Sequence, residues 1–171
     1  MGGIIRETAT LAGNQIKIRN VKTTLDIPEN LPPVFGDKQH LSQVFLNIIL
    51  NAFDAMPGGG KLFIGVQRAD DPGFLSVKIT DTGSGIPEHI IGSIFDPFFT
   101  TKPTSKGTGL GLSVSLGIIR KHGGDIKVQS RENEGATFTI LLPAATLPAD
   151  IGNGKTNGYS SGEPGIQDII K

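Results

Sequence analysis

Asn47-Ile48-Ile49-Leu50-Asn51-Ala52-Phe53-Asp54-Ala55 is the stretch that decides the reading of this chain. It is an apolar segment interrupted by three polar residues. Asn47, Asn51 and Asp54 fall at i, i+4 and i+7, so on a helix they share one face. Leu41, Val44, Phe45, Ile48, Ala52 and Ala55 fall at helical spacing and make its core face. Asp37 is the expected N-cap and Pro57-Gly58-Gly59-Gly60 the stop, giving a helix over 38–56. Polar groups on such an apolar helix must find partners or cost about 1–3 kcal/mol each. A carboxamide oxygen is also a neutral, hard ligand that can take one position on Mg²⁺ while phosphates and water take the others. Asn51 is therefore a candidate metal ligand, with Asn47 and Asp54 in support.

Three further segments follow in order. Val77-Lys78-Ile79-Thr80 runs as a strand into Asp81-Thr82-Gly83-Ser84-Gly85-Ile86-Pro87. A carboxylate at the base of a pocket can accept the exocyclic amino hydrogens of adenine, and Gly83 and Gly85 let the backbone approach a ring. Next comes Phe95-Asp96-Pro97-Phe98-Phe99-Thr100-Thr101-Lys102, followed by the polar run to Lys106. The Phe residues anchor a loop that is otherwise loose, and residues 100–107 suit a lid over a nucleotide. Lys102 is the expected cation for phosphates, with Lys106 as the alternative. Gly107-Thr108-Gly109-Leu110-Gly111-Leu112 then opens a helix over Leu110–His122, where backbone amides favour anions. The spacing fits neither a Walker A loop nor a Rossmann fingerprint.

Outside these segments, Ile4 to about Asn20 reads as a helix with Ile5, Ala9, Leu11 (or Ala12) and Ile16 on its apolar side. Val21–Ile27 reads as a strand and Val34-Phe35 as a shorter one. Lys61–Gln67 pairs with Phe74–Thr80, and Asp125–Ser130 with Ala136–Leu142, as two hairpins. Residues 82–109 read as loops with one short helix. This order predicts an α/β (α+β) two-layer sandwich, a mixed sheet covered on one face by about three helices. Residues 1–145 form the expected domain. Residues 146–171, rich in Gly, Pro and Ser, read as a flexible tail or linker, with Ile166–Lys171 as the start of another element.

Composition narrows the function. Sixteen basic and sixteen acidic residues balance, which gives no sign of a nucleic-acid or membrane patch. Cysteine is absent, which removes disulfides and thiol chemistry. No apolar run approaches the roughly 18 residues of a membrane helix. His40, His89 and His122 have no metal-ligand spacing. His122, at a helix end, is expected as a cation facing the dipole.

Taken together, the four segments resemble the N, G1, F and G2 boxes of the catalytic, ATP-binding domain of bacterial sensor histidine kinases. That domain belongs to the gyrase/Hsp90/histidine kinase/MutL (GHKL) superfamily with the Bergerat fold. The resemblance covers roughly residues 4–143. Gly135-Ala136-Thr137-Phe138 is similar to the last, weaker box, and the wording of the boxes is similar to the nitrogen-regulation type. The resemblance implies ATP and Mg²⁺ as cofactors, with Asn51 on the metal, Asp81 on adenine and Thr137 nearby through water. It implies Asn51 and Lys102 as the catalytic residues. The nucleotide would be held by Asn47, Asn51, Asp54, Asp81, Gly83, Gly85, Ile86, Phe95, Lys102, Gly107, Thr108, Gly109, Leu110, Gly111, Leu112 and Thr137. It also implies transfer of the γ-phosphoryl group to a histidine on a separate dimerisation domain, and then to a response regulator receiver domain. The fragment is expected to be cytoplasmic and monomeric, from a parent that can itself be membrane-anchored, with no nucleic-acid or direct membrane contact.

Competing readings are weaker. An aspartic protease would need a second Asp-Thr-Gly copy or a homodimer. A GHKL ATPase clamp would need a general base one turn before the metal Asn, where this chain has Asn47, an amide. A noncatalytic module leaves four intact boxes unexplained. A protein serine kinase on the same fold would need a serine-bearing partner.

Overall fold

The computed structural model describes residues 1–13, 18–103, 107–145 and 168–170. Helix α1 (Gly2–Leu11) leads to strands β1 (Val21–Asp26) and β2 (Val34–Gly36) and the long helix α2 (Lys38–Ala55). Strands β3 (Gly60–Arg68) and β4 (Phe74–Asp81), the short helix α3 (Glu88–Ile91) and helix α4 (Gly111–Lys121) follow. Strands β5 (Asp125–Ser130), β6 (Ala136–Pro143) and β7 (Asp168–Ile170) complete the order.

Five strands form one sheet in the order β1-β3-β4-β6-β5. β1 runs parallel to β3, and all other neighbours are antiparallel, so the sheet is mixed as expected. Both expected hairpins are present. In β4 and β6 the residues Leu75, Val77, Ile79, Phe138, Ile140 and Leu142 are buried, and Ile79 pairs with Phe138 in register. Intervening side chains point to the other face, where Lys78 is exposed and Phe63 on β3 is 39 % exposed. That alternation is what a sheet covered by helices on one side requires.

Helix α2 supplies most of the helical half of the core. Its Leu41, Val44, Phe45, Ile48, Ile49, Ala52 and Phe53 are buried, each contributing about 1.5–3 kcal/mol for the large side chains. Ile49 and Phe53 join the predicted face, while Ala55 is only partly covered. Asp37 caps the helix. Its Oδ1 accepts the amides of Gln39 at 2.7 Å and His40 at 3.0 Å, and those bonds outweigh its slight desolvation to lower its pKa.

Three details differ from the sequence expectation. Helix α1 ends at Leu11 and is interrupted at Ala12; Gly13 and Ile18 are again helical, and residues 14–17, with Ile16, lie outside the described residues. Ile5, Ala9 and Ala12 point inward, so Leu11 is left 73 % exposed; the inward stripe follows i, i+4, i+7 and Leu11 sits off it. The short strand β2 does form, but its antiparallel partner is β7, 136 residues later at Val34↔Ile170. His122 serves as an acceptor: its Nε2 accepts the Asp37 amide at 3.1 Å while Nδ1 sits 2.8 Å from the Ile118 carbonyl. A carbonyl only accepts, so the proton is on Nδ1 and the ring is neutral. It fastens the end of α4 to the start of α2.

Residues 146–167 lie outside the described residues. Among the described residues no helix is long and apolar enough to cross a membrane.

The packing yields a direct test. Phe45→Ala should destabilise the domain by about 3–5 kcal/mol through the cavity it leaves. Phe63→Ala, on the uncovered sheet face, should cost less than about 1 kcal/mol. Urea unfolding of both variants checks which face carries the core.

Candidate active site

Two hydrogen-bonded junctions bring the Asn, Phe and Gly segments together. The first joins α2 to α4. Asn47 Nδ2 donates to the Gly111 carbonyl and to Ser115 Oγ, both at 3.3 Å. Ser115, fully buried, donates its own hydroxyl hydrogen bond to the Gly111 carbonyl at 2.8 Å. The Asn47 Nδ2, the Ser115 hydroxyl and the Gly111 carbonyl thus satisfy one another, as buried polar groups require.

The second junction joins the Phe segment to the Gly segment. The Phe98 amide donates to the Gly109 carbonyl at 3.0 Å. Gly109 has φ 66, and a Cβ there would strike the Phe98 backbone. Only glycine combines that left-handed conformation with that approach. Phe98 itself has φ 68 and a ring 74 % exposed, whereas Phe95 and Phe99 pack against the core.

Between these junctions lies a cleft of about 670 Å³, a size that suits a small organic ligand. It is lined by Asn47, Leu50 and Asn51 from α2, by Ser84, Gly85, Ile86 and Pro87, and by Ile90 and Ile94. Phe99, Thr100, Thr101, Lys102, Gly107, Thr108, Gly109, Gly111 and Leu112 form the opposite wall, and Glu132 and Asn133 close one end. Lys106 lies outside the described residues.

Ten of the residues expected at a nucleotide line this cleft: Asn47, Asn51, Gly85, Ile86, Lys102, Gly107, Thr108, Gly109, Gly111 and Leu112. The other six sit elsewhere. Leu110 is the exposed N-cap position of α4. Phe95 lines a separate hollow with Phe74 and Val128. Gly83 lies beneath the end of α2, where a Cβ would come within 2.6 Å of the Ala55 carbonyl oxygen. Asp54 is outside the cleft wall, on its rim beside Lys102. Asp81 and Thr137 line a smaller cavity of about 400 Å³.

The loop between β5 and β6 separates the two cavities. Glu132 and Asn133 face the larger one, and Arg131, Glu134 and Gly135 the smaller. Its position is set by the Asn133 amide, which donates to the Ser84 carbonyl at 2.6 Å. Ser130 Oγ accepts the Ile86 amide at 2.8 Å and donates to the Gly135 carbonyl at 2.7 Å. Sequence reasoning read residues 131–135 only as a hairpin turn. The one local signal is Asn133, which sits at φ 64, a conformation Asn tolerates better than most residues.

The electrostatics of the two aspartates are opposite. Asp81 is 4 % exposed, and burial pushes its pKa up despite the opposing Gly83 and Ala136 amides. Gly83 N–H donates to Asp81 Oδ1 at 2.8 Å. For Asp54, partial burial raises the pKa, but Lys102 and Arg19 outweigh it and the net shift is downward. Lys102 Nζ sits 2.7 Å from Asp54 Oδ2, and Arg19 Nη2 lies 2.9 Å from Asp54 Oδ1.

Lys102 Nζ also donates to Asn51 Oδ1 at 2.9 Å. The amide oxygen of Asn51 is therefore turned toward a cation at the cleft mouth, which is the presentation a divalent metal would require. Among the described residues no group of three His, Asp or Glu side chains could hold a metal unaided, so any metal here must draw further ligands from a bound phosphate or water.

With this geometry, comparison with known proteins becomes specific. The model of the family described as histidine kinase-, DNA gyrase B-, and HSP90-like ATPase matches residues 36–146. The chain belongs to that family. It is 40 % identical over 140 residues to sporulation kinase E of Bacillus subtilis (strain 168), covering 82 % of this chain and 19 % of that protein. The catalytic domain of histidine kinase ThkA superposes with a TM-score of 0.73 at 34 % identity, covering 84 % of this chain and 93 % of that one. Full-length ShkA in complex with AMPPNP gives a TM-score of 0.75 at 26 % identity, covering 86 % of this chain and 30 % of that one. The fold is thus that of a histidine kinase catalytic domain, and the chain spans about a fifth of the length of the first of these relatives.

Family members of this kind bind ATP, and the raised pKa of Asp81 leads to a test. A carboxyl whose folded pKa is raised costs stability once pH exceeds its unfolded value, and the cost grows until the folded pKa is passed. Asp81→Asn should therefore melt higher than wild type at neutral pH, and the gap should close as pH falls into the ordinary carboxylate range. Because Asp81 is the residue expected on adenine, the same variant also tests that expectation, which requires ATP to bind at least about tenfold more weakly. Thermal melts against pH and a nucleotide titration check both halves.

Proposed function

We propose that this chain binds Mg-ATP and donates the γ-phosphoryl group to a histidine on a separate helical dimerisation domain. The observation that carries this reading is the convergence of Asn51 Oδ1, the Lys102 ammonium and the glycine-rich start of α4 on one cleft. Each serves a different part of a nucleotide. The backbone of Gly107–Gly111, at the N-terminus of α4, favours phosphate oxygens. Lys102 adds a positive charge. Asn51 would hold Mg²⁺, which when bound neutralises charge developing on the phosphates. Ile86, Ile90, Ile94 and Leu112 offer apolar surface for a base. Asp81 would accept the adenine amino group, which under this reading requires the 131–135 turn to part from Ser84.

The acceptor must come from elsewhere. No histidine lines the cleft among the described residues. His122 is engaged at both ring nitrogens. His40 and His89 are exposed and neither is followed by an acidic residue. A phosphotransferase can leave nucleophile and base on its partner domain.

Asn47 also speaks against a water-activating ATPase. Its amide cannot take a proton, and Nδ2 is committed to Gly111 and Ser115. The carboxylate that does line the cleft, Glu132, is exposed on the turn beside Ser84.

Phosphotransfer from γ-labelled ATP tests the reading. Label should appear on a separately made histidine-bearing helical domain of a related kinase, with little free phosphate from this chain alone. Steady phosphate release without transfer would favour an ATPase instead. Asn51→Ala should remove the Mg²⁺ dependence of binding and lower transfer at least about a hundredfold, the scale of losing one electrostatic contact to a transferring group, with the circular dichroism spectrum unchanged.

A further inference from the structure

At the cleft mouth, Arg19, Asp54, Lys102 and Asn51 form one continuous chain of contacts. Arg19 donates to the Phe53 carbonyl at 2.9 Å through Nη1 and pairs with Asp54 through Nη2. Arg19 precedes β1, Asp54 lies in the last turn of α2, and Lys102 belongs to the Phe segment, so three separate parts of the chain meet here. Asp54 is bound on both oxygens, by Arg19 at Oδ1 and by Lys102 at Oδ2. Lys102 is bound twice as well, by Asp54 and by Asn51 Oδ1.

This arrangement sets two cations against each other. Asn51 Oδ1 holds the Lys102 ammonium at 2.9 Å. A divalent cation on the same oxygen would stand within a few ångströms of that ammonium, and like charges at such range repel strongly. Lys102 must therefore leave Asn51 when metal arrives. Asp54 gives it somewhere to remain, because its carboxylate already bonds Lys102 and stays ionised between two cations. Conversely, nucleotide phosphates arriving without metal must draw Lys102 away from Asp54 while facing that carboxylate's negative charge.

We propose that Asp54 is a positioning residue that acts through Lys102 to make this site prefer nucleotide carrying Mg²⁺ over free nucleotide. The proposal rests on the ATP-binding reading above. Asp54 touches neither metal nor phosphate in this role. It restrains Lys102, withholding it from bare phosphates and yielding Asn51 to the metal. Arg19 sets how strongly Asp54 does so, since it shares the same carboxylate.

The test is the ratio of ATP-analogue affinities with Mg²⁺ and with chelator, measured by calorimetry on the whole chain using a non-hydrolysable ATP analogue. Asp54→Asn should lower that ratio at least about threefold, within the range that partly exposed ion pairs couple, mainly by tightening metal-free binding. Arg19→Gln should move the ratio the other way, because Asp54 then holds Lys102 alone. In a Lys102→Ala background, Asp54→Asn should lose most of its effect. An unchanged ratio in Asp54→Asn, or an equal change with and without Lys102, overturns the proposal while leaving ATP binding in place. If Asp54→Asn does not fold, an unmoved or lowered ratio in Arg19→Gln overturns it. Failure of the wild-type chain to bind the analogue in either condition would instead sink the nucleotide reading, and this proposal with it.

Discussion

The Asn47 amide, held between the Gly111 carbonyl and Ser115 hydroxyl, is where the core and the site meet. Helix α2 has to satisfy two different surfaces with one backbone. Its apolar side is buried in the core with the sheet, and a shift of one residue along the helix would turn Ile48 or Ile49 toward the cleft. Its polar side must find partners in a region that is half dry. Asn47 finds them on α4, and that bond sets where the glycine-rich start of α4 stands relative to Asn51. An apolar residue at position 47 would leave Ser115 with one partner fewer and the two helices without a polar register.

From that junction the site follows outward by short contacts. Gly109 accepts the Phe98 amide, which brings the Phe segment over the start of α4. The same segment carries Lys102 to Asn51 and Asp54. On the other side, β4 delivers Asp81 at its end, and Ser84 accepts from Asn133 across the β5–β6 turn. The two aspartates end in contrasting surroundings. Asp54 is partly exposed between two cations and remains charged, while Asp81 is enclosed with amides for company and is harder to ionise. One fold thus holds one carboxylate at its rim for electrostatics and another in its interior for shape and hydrogen bonding.

Much of this was legible in sequence because it rests on local periodicity. The α2 face, its Asp37 cap, both hairpins and the mixed sheet follow from spacing at 3.6 and 2 residues. That Asn51, Lys102 and Gly107–Gly111 serve one nucleotide was legible only through the resemblance of their segments to a known set of boxes, since each segment alone shows no more than a composition that suits a phosphate ligand. Elsewhere the local signal pointed the wrong way or was silent. Leu11 looks like a core residue until the inward stripe of α1 is known. His122 suits a helix end as a cation, yet a donor from Asp37 requires it to be neutral. The turn at 131–135 carries no pattern that names Ser84 as its partner.

By itself, then, the sequence determined which residues are apolar, where helices begin and which strands turn back on one another, because those depend on neighbours within a few positions. Only the tertiary structure decided that Asp81 and Thr137 face a different cavity from Asn51, that Phe95 packs inward while Phe98 does not, and that Lys102 rests on Asn51 and Asp54. It also decided that β2 pairs with β7 across most of the chain's length. These outcomes depend on distances between segments far apart in the chain. Such distances are set by the thickness of the packed core and the register of the sheet, neither of which any short stretch of residues encodes.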